Sequence, residues 1–204
     1  MSDFATRPAA IAIMAGGRGR RMGRDKTAIV IDGATMLEHV VSAALATGRR
    51  VLVAGRARPD AWAIDTVEFI PDAVSGSGPL AGIVAALAYA ASPIIVLAAD
   101  MPLITTGAIS WLMNLPVEPE ARDGLVVMNG GRMEPLFAIY RPAALPLAEK
   151  LLAENRLALW ALIESGDFMR VDAPDSIARL LRNINTPGEL EEVVGDVSDK
   201  AQRA

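Results

Sequence analysis

Cysteine does not occur in this chain of 204 residues, and histidine occurs once, at His39. Without cysteine the chain can form no disulfide, and it offers neither a thiolate nucleophile nor a thiolate ligand for a metal. A single histidine excludes zinc sites that need several imidazoles. His39 falls on a predicted helix among apolar residues, where we expect a half-buried structural side chain.

An excess of positive charge is also missing, since 20 Lys and Arg stand against 24 Asp and Glu and leave a net charge of −4. This balance argues against general binding to nucleic acid or to a membrane surface. The apolar run 92–99 is too short to span a bilayer, and the first residues lack the apolar segment and cleavage site of a signal peptide. We therefore expect a cytoplasmic enzyme or binding domain whose partners are neither nucleic acid nor membrane.

Short apolar runs alternate with helical patterns along the chain, in which 52% of residues are hydrophobic. The apolar runs predict strands at residues 11–15, 51–54, 67–70, 94–98, 124–128, 136–140 and 169–172. Helices are predicted from the N-cap Thr35 to Gly48 and over residues 80–90, 106–115, 142–154 and 157–164. This order predicts a Rossmann-like α/β fold with three layers, in which helices cover both faces of a mostly parallel central sheet. We expect residues 1–194 to form one domain and residues 195–204 to be a flexible tail.

Glycine and positive charge are concentrated directly after the first predicted strand. Residues 14–26 read Met-Ala-Gly-Gly-Arg-Gly-Arg-Arg-Met-Gly-Arg-Asp-Lys and hold four glycines and five cations. Glycine lets backbone amides approach a ligand closely, and the cations supply the charge that a polyphosphate needs. The segment has neither the Gly-Lys-Ser/Thr ending of a Walker A motif nor a clean G-x-G-x-x-G spacing. A solvated turn rich in arginine is the alternative to a nucleotide site.

Two further segments have the chemistry of a nucleotide site. Asp72 precedes the run Gly78-Pro79-Leu80-Ala81-Gly82, where proline fits the first helical position and the amides that follow can bind an anion. Asp100 follows the apolar run 94–98, at the strand end where α/β sheets place ligands, and its carboxylate suits Mg²⁺. Each segment also has a purely structural explanation, as a helix start and as a capping or loop acid.

The remaining polar candidates lie later in the chain. Arg132 follows the predicted turn Asn129-Gly130-Gly131, and Asn183 and Asn185 precede a predicted helix. Taken alone, these asparagines are typical turn and cap residues. The methionines and tryptophans fall at helical or loop positions, where we expect them to have packing roles only.

Residues 14–26 resemble the signature Leu-Ala-Gly-Gly-x-Ser-x-Arg-Met-Gly-x-Asp-Lys of the molybdenum cofactor nucleotidyltransferases, and most closely that of the molybdenum cofactor guanylyltransferase family. Met14 stands where that signature has Leu, and Gly19 stands where it has Ser. Four further motifs of the family follow in the same order. They are an Asp with Gly-Pro-Leu-Ala-Gly, then Asp-x-Pro, then an Arg before Pro-Leu, and finally Asn-x-Asn-Thr-Pro. The similarity therefore spans residues 10–194.

The resemblance implies a nucleotidyltransferase fold and the transfer of GMP from GTP to molybdopterin, with Mg²⁺ as cofactor and pyrophosphate as product. It implies that the nucleotide contacts Met14, Ala15, Gly16, Gly17, Lys26, Asp72, Gly78, Gly82 and Asp100. Its implied catalytic residues are Arg21, Lys26 and Asp100, of which Arg21 and Lys26 hold phosphates and Asp100 holds the metal. The pterin is implied to face Arg132, Asn183 and Asn185.

Two alternatives remain open at this stage. A cytidylyltransferase for the same pterin, or another small-substrate nucleotidyltransferase, would share the fold; the pair Gly16-Gly17 favours GTP, because CTP-using relatives tend to carry Ala first. A catalytically inactive nucleotide-binding module would keep the site, but the joint presence of Lys26, Asp100 and both asparagines argues against it. We expect a monomer or weak homo-oligomer, and the resemblance implies transient contact with cofactor-handling proteins.

Overall fold

The computed structural model of the chain describes residues 8–16, 29–31, 33–60, 62–74, 76–118 and 120–181. The described elements are, in chain order, β1 (Ala10–Met14), β2 (Val30–Ile31), β3 (Ala34–Thr35), α1 (Met36–Leu45), β4 (Arg50–Ala54), β5 (Val67–Ile70), α2 (Pro79–Ala90), β6 (Ile94–Ala98), α3 (Thr106–Met113), β7 (Gly124–Asn129), β8 (Arg132–Tyr140), α4 (Leu145–Ala153), α5 (Leu159–Ser165), β9 (Phe168–Asp172) and α6 (Asp175–Ala178). A 3₁₀ turn, Pro142–Ala144, leads into α4. Every strand and helix predicted within these ranges is confirmed, with ends shifted by a few residues.

Seven strands form one sheet in the order β5-β4-β1-β6-β8-β7-β9. β5, β4, β1 and β6 run parallel to one another. β8 is antiparallel to both β6 and β7, and β9 is parallel to β7. The sheet is therefore parallel except for β8, which confirms the predicted mostly parallel arrangement.

Helices cover both faces of this sheet. β1 and β6 are buried at every position, as expected of central strands that pack on both faces. On one face their side chains pack against α1, α3 and α6, and on the other against α2, α4 and α5. The three αβα layers are thus present, with an apolar core on each side of the sheet.

The start of α1 shows why a helix begins at this point. The Thr35 hydroxyl accepts a hydrogen bond from the Glu38 amide at 3.2 Å, and the Glu38 carboxylate accepts one from the Thr35 amide at 2.6 Å. This is a complete capping box. The hydrogen bond from the Thr35 amide, together with one from the Thr35 hydroxyl at 2.7 Å, lowers the pKa of the Glu38 carboxyl group. His39 Nε2 donates to the Ile31 carbonyl at 2.8 Å and ties α1 to the small β2–β3 hairpin. The half-buried structural role predicted for His39 is confirmed.

The length and composition of the helices also bear on membrane topology. Within the described ranges, none of them combines the length and the apolar character needed to cross a bilayer.

Candidate active site

Four strands of the sheet end side by side. One row of the sheet register consists of Ile70, Ala54, Met14 and Ala98. Two positions further along each strand come Asp72, Arg56, Gly16 and Asp100. Backbone hydrogen bonds continue past the row, from the Ala15 amide to the Ala54 carbonyl at 2.9 Å and from the Ala99 amide to the Met14 carbonyl at 3.2 Å. These four residues therefore lie side by side at the carboxyl ends of the strands, which we call one edge of the sheet.

This edge contains the point at which the strand order reverses. After β1 the chain adds β4 and β5 on one side, and it then returns to place β6 on the other side of β1. In open α/β sheets ligands bind outside the carboxyl ends of the strands at such a switch point. Gly16 and Asp100 follow the two strands that flank it.

Three glycines bring backbone close to the Asp72 carboxylate. A Cβ added to Gly16 would lie 2.9 Å from Gly55 Cα and 3.0 Å from Asp72 Oδ2. A Cβ on Gly55 would lie 2.5 Å from Gly16 Cα and 3.0 Å from Asp72 Oδ1, and one on Gly82 would lie 2.8 Å from Met14 Sδ and 3.2 Å from Asp72 Oδ1. Real Cβ atoms essentially never make contacts below 3.0 Å, and contacts of 3.0–3.4 Å require the neighbouring atom to move. Glycine at positions 16 and 55 therefore allows the ends of β1 and β4 to meet beside this carboxylate, and Gly82 leaves room for the Met14 side chain.

Asp72 is half-buried, and this burial raises the pKa of its carboxyl group above the usual range. Desolvation is the cause of this shift, with no hydrogen bond from the described residues acting on the carboxylate. A partly desolvated carboxylate is energetically unfavourable unless it accepts hydrogen bonds. A ligand that brings N–H or O–H donors would offset this cost.

The start of α2 lies beside the same segment. Gly78 is the N-cap, with φ +72, and Pro79 occupies the first turn. Nothing lies within 4 Å of a Cβ added to Gly78, so its positive φ, and not lack of space, favours glycine there. The Ala73 amide donates to the Ala81 carbonyl at 3.3 Å and holds the Asp72 segment against α2.

The structure thus gathers most of the described candidates at one edge, namely Met14, Ala15, Gly16, Asp72, Gly78, Gly82 and Asp100. Asp100 is half-buried directly after β6. The other candidates of the basic loop and of the late asparagine pair, Gly17, Arg21, Lys26, Asn183 and Asn185, lie outside the described residues. Sequence reasoning missed Gly55 and Arg56, which no motif in the chain distinguishes.

Arg132 lies apart from that row, as the first residue of β8. It lines a cleft of about 610 Å³ between the β7–β8 hairpin, α5 and β9, together with Met128, Met133, Trp160, Glu164 and Arg170. Trp160 is 56% exposed. The prediction that every tryptophan has only a packing role is therefore wrong for Trp160, since a side chain this exposed is not part of the core.

The chain is similar to known proteins over most of its length. Residues 11–171 match the family model of the MobA-like NTP transferase domain. The chain is 34% identical over 188 residues to the probable molybdenum cofactor guanylyltransferase of Opitutus terrae, covering 88% of this chain and 92% of the relative. It is 30% identical over 188 residues to the molybdenum cofactor guanylyltransferase of Pseudomonas putida, covering 91% and 97%.

Solved structures show the same fold. The molybdopterin-guanine dinucleotide biosynthesis protein A of Archaeoglobus fulgidus is similar with a TM-score of 0.75 and 25% identity, over 93% of this chain and 99% of that one. The 2-C-methyl-D-erythritol 4-phosphate cytidylyltransferase of Thermus thermophilus has a TM-score of 0.61 and 16% identity, over 92% and 98%. At 16% identity, the similarity to this cytidylyltransferase shows a shared fold only.

Proposed function

The chain belongs to the family of MobA-like NTP transferase domains, and on this premise we propose that it transfers GMP from GTP to the phosphate of molybdopterin. The products are the guanine dinucleotide form of the cofactor and pyrophosphate. Relatives named molybdenum cofactor guanylyltransferase match almost the whole chain. The observation in the structure that carries the proposal is the row of Gly16, Asp72 and Asp100 at the switch point of the sheet.

The reaction needs no general base, because the attacking group is a phosphate that is already an anion at neutral pH. The obstacle is instead the approach of two negatively charged groups. Catalysis then consists of positioning and of electrostatic stabilisation, as in phosphoryl transfer generally, here at the α-phosphorus. We assign Arg21 and Lys26 to offset the charge of the leaving pyrophosphate.

A divalent metal fits the chemistry of Asp100. This residue offers a hard carboxylate oxygen at the strand end beside the switch point, and Mg²⁺ is typically held by one or two carboxylates together with substrate phosphates. We propose Mg²⁺ as the metal and Asp100 as its ligand from the protein. When bound, Mg²⁺ would neutralise negative charge on the phosphate oxygens.

Asp72 is the residue that we assign to base selection. Guanine presents two neighbouring donors, N1–H and the 2-amino group, and one carboxylate can accept from both. Cytosine presents a single amino donor beside two acceptors, so the same carboxylate pairs with it poorly. Because burial already disfavours the ionised form of Asp72, a guanine that supplies two hydrogen bonds gains more there than it would at an exposed carboxylate.

The proposal is tested by pyrophosphate release with molybdopterin and Mg²⁺, with GTP, CTP, ATP and UTP run side by side. We expect turnover with GTP that depends on molybdopterin. Preference for CTP would identify a cytidylyltransferase for the same pterin. Binding of GTP without release of pyrophosphate would identify a nucleotide-binding module without catalysis.

We extend the proposal to the organisation of the chain. Residues 1–194 act as one catalytic domain in the cytoplasm, as a monomer or weak homo-oligomer, with residues 195–204 as a tail. A single family model spanning residues 11–171 supports the single domain. Cofactor-handling proteins would deliver the labile pterin through transient contacts. Size-exclusion chromatography of the full chain tests the oligomeric state.

A further inference from the structure

The cleft that Arg132 lines lies close to the nucleotide edge of the sheet. The last pair between β6 and β8 joins Leu97 and Phe137. β8 changes register against β7 between Val126 and Val127, and after this shift Met133 pairs with Met128 and Arg132 with Asn129. Because Val126 and Val96 both pair with Ala138, Arg132 lies level with Ala99 in the sheet. The tip of the β7–β8 hairpin therefore lies at the level of the strand ends that carry the proposed nucleotide site.

The cleft also opens on the face of the sheet that carries α2. Met128 and Met133 are paired across the hairpin and pack against the same apolar layer as Met14 and Leu80. Side chains alternate between faces along a strand. Met169 and Val171 pack on the opposite face, so Arg170 points toward the cleft, which it lines. A substrate in the cleft would therefore lie on the face of the sheet that α2 covers, the helix whose Gly82 lies beside Asp72.

Hydrogen bonds hold the hairpin in place. The hydroxyl of Tyr140, which is completely buried, donates to the Pro135 carbonyl at 2.9 Å. Asn129 Nδ2 donates to the Ala178 carbonyl at 3.4 Å, which ties the hairpin tip to α6. One wall of the cleft is therefore anchored to the core on one side and to α6 on the other. An anchored wall lowers the conformational cost of binding.

Resting on the guanylyl transfer proposed above, we propose that this cleft binds the pterin ring of the acceptor, with Trp160 stacked on the ring and Glu164 hydrogen-bonded to its edge. Trp160 and Glu164 are four residues apart on α5, a spacing that puts two side chains on the same face of a helix. A ring stacked on the indole can thus reach the carboxylate with its edge.

The side chains of the cleft match the chemistry of a pterin. A pterin is a flat heteroaromatic ring, which stacks well on an exposed indole, and the two methionines add polarisable contacts. Its 2-amino-4-oxo edge carries two neighbouring N–H donors that one carboxylate accepts together. Arg132 and Arg170 supply guanidinium donors for the ring's acceptor atoms and for the negative charge of the acceptor. Among the described residues that line it, the cleft offers one carboxylate and two guanidinium groups.

Guanine shares the same donor edge, so a guanine nucleotide is the competing occupant. The pterin is favoured because the proposed reaction already assigns guanine to Asp72, at the ends of β1, β4 and β5. The reaction brings together two different planar rings and thus needs a second site for a ring. The cleft supplies one on the other side of β6, the strand that Asp100 follows.

A binding assay with a free pterin tests the assignment without catalysis. The probe is 6-hydroxymethylpterin, titrated with the full chain and followed by the anisotropy of its own fluorescence, so that the signal does not depend on the tryptophan removed. We expect Trp160→Ala to weaken binding about tenfold, within the range measured for stacking of a base on an aromatic side chain. Trp160→Phe should restore most of the affinity, and Glu164→Gln should weaken binding about tenfold or more. Glu149→Gln, at an exposed glutamate of α4, is the matched control and should bind like the unchanged chain.

The outcomes separate this assignment from the proposed function. Equal binding by the unchanged chain, Trp160→Ala and Glu164→Gln would overturn the assignment. So would guanosine that binds as tightly as the pterin and loses as much affinity in both variants, because the cleft would then be a guanine site.

In the transfer assay we expect Trp160→Ala to raise the KM for molybdopterin about tenfold and to leave the KM for GTP unchanged. GTP-dependent transfer that is unaffected by Trp160→Ala would refute the cleft and leave the proposed function standing. If pterin binding follows the expected pattern but the chain transfers no GMP, the proposed function would be refuted and the assignment of the cleft would stand.

Discussion

Gly55 is the position where one added methyl group tests the packing of the strand ends at the proposed nucleotide site. An alanine Cβ would lie 2.5 Å from Gly16 Cα and 2.6 Å from Gly16 N. Gly16 cannot move away freely, because the preceding amide, that of Ala15, is hydrogen-bonded to the Ala54 carbonyl at 2.9 Å. Gly55 also has a φ of +91°, a backbone conformation that residues with a side chain rarely adopt.

The cost of Gly55→Ala has two parts. The positive φ costs an alanine about 1–2 kcal/mol, and overpacking against the Gly16 backbone costs about 1–3 kcal/mol more. We therefore expect the free energy of unfolding to fall by about 2–5 kcal/mol. Gly48→Ala is the matched control: Gly48 has φ +72, but a Cβ there has nothing within 4 Å. It should lose only the first part, about 1–2 kcal/mol.

Urea unfolding of both variants measures the difference directly, with the m-value checked for constancy. A second readout is GTP affinity, which Gly55→Ala should weaken because Gly16 or the Asp72 carboxylate must shift, and which Gly48→Ala should leave unchanged. Equal losses of stability in the two variants would refute the close approach of the β1 and β4 ends. Normal GTP affinity in a folded Gly55→Ala protein would remove this edge from the nucleotide site.

Four further predictions address single side chains. Asp100→Ala should lower turnover strongly and leave the fold intact, as measured by pyrophosphate release against Mg²⁺ concentration together with thermal unfolding; near-normal magnesium-dependent activity would contradict the metal assignment. Lys26→Ala should slow pyrophosphate release at saturating GTP, because it removes charge that offsets the leaving group; an unchanged rate would exclude a catalytic role. Asp72→Asn should be at least as stable as the unchanged chain at neutral pH. The raised pKa of Asp72 means that its stabilising contribution is present at low pH and is lost as pH rises through the pKa of the folded state. The same variant should lose its preference for GTP over CTP, and a retained preference would contradict the base contact. Thr35→Ala should cost about 1 kcal/mol in urea unfolding, and no measurable loss would show that the capping box with Glu38 contributes little.

The parallel half of the sheet could be predicted because its strands carry their own signals. The run Ile94–Ala98 is apolar at every position, which is typical of a strand buried on both faces. The β2–β3 hairpin and α6 escaped prediction because two-residue strands and a single helical turn are too short to show a period. β8 was predicted from Leu136, but it begins at Arg132. Its first residues follow a register shift against β7 between Val126 and Val127, which interrupts the alternation expected of a regular strand.

Asp72, Asp100 and the glycines of the first loop could be proposed from sequence because each follows a recognisable strand or precedes a helix. Gly55 could not, because its constraint comes from Gly16, 39 positions earlier in the chain. Nothing local in the run Val-Ala-Gly-Arg distinguishes that glycine from one in an ordinary turn. A close approach between two strand ends is a property of the assembled sheet.

The two halves of the proposed site depend on different physical interactions. In the nucleotide half, backbone from β1, β4 and α2 meets around one carboxylate, so substitutions there disturb packing and GTP binding together. In the cleft, Arg132, Trp160, Glu164 and Arg170 come from the hairpin, α5 and β9 and are largely exposed, so their replacement leaves the core intact. Substitutions in the cleft should therefore change recognition of the acceptor at little cost in stability.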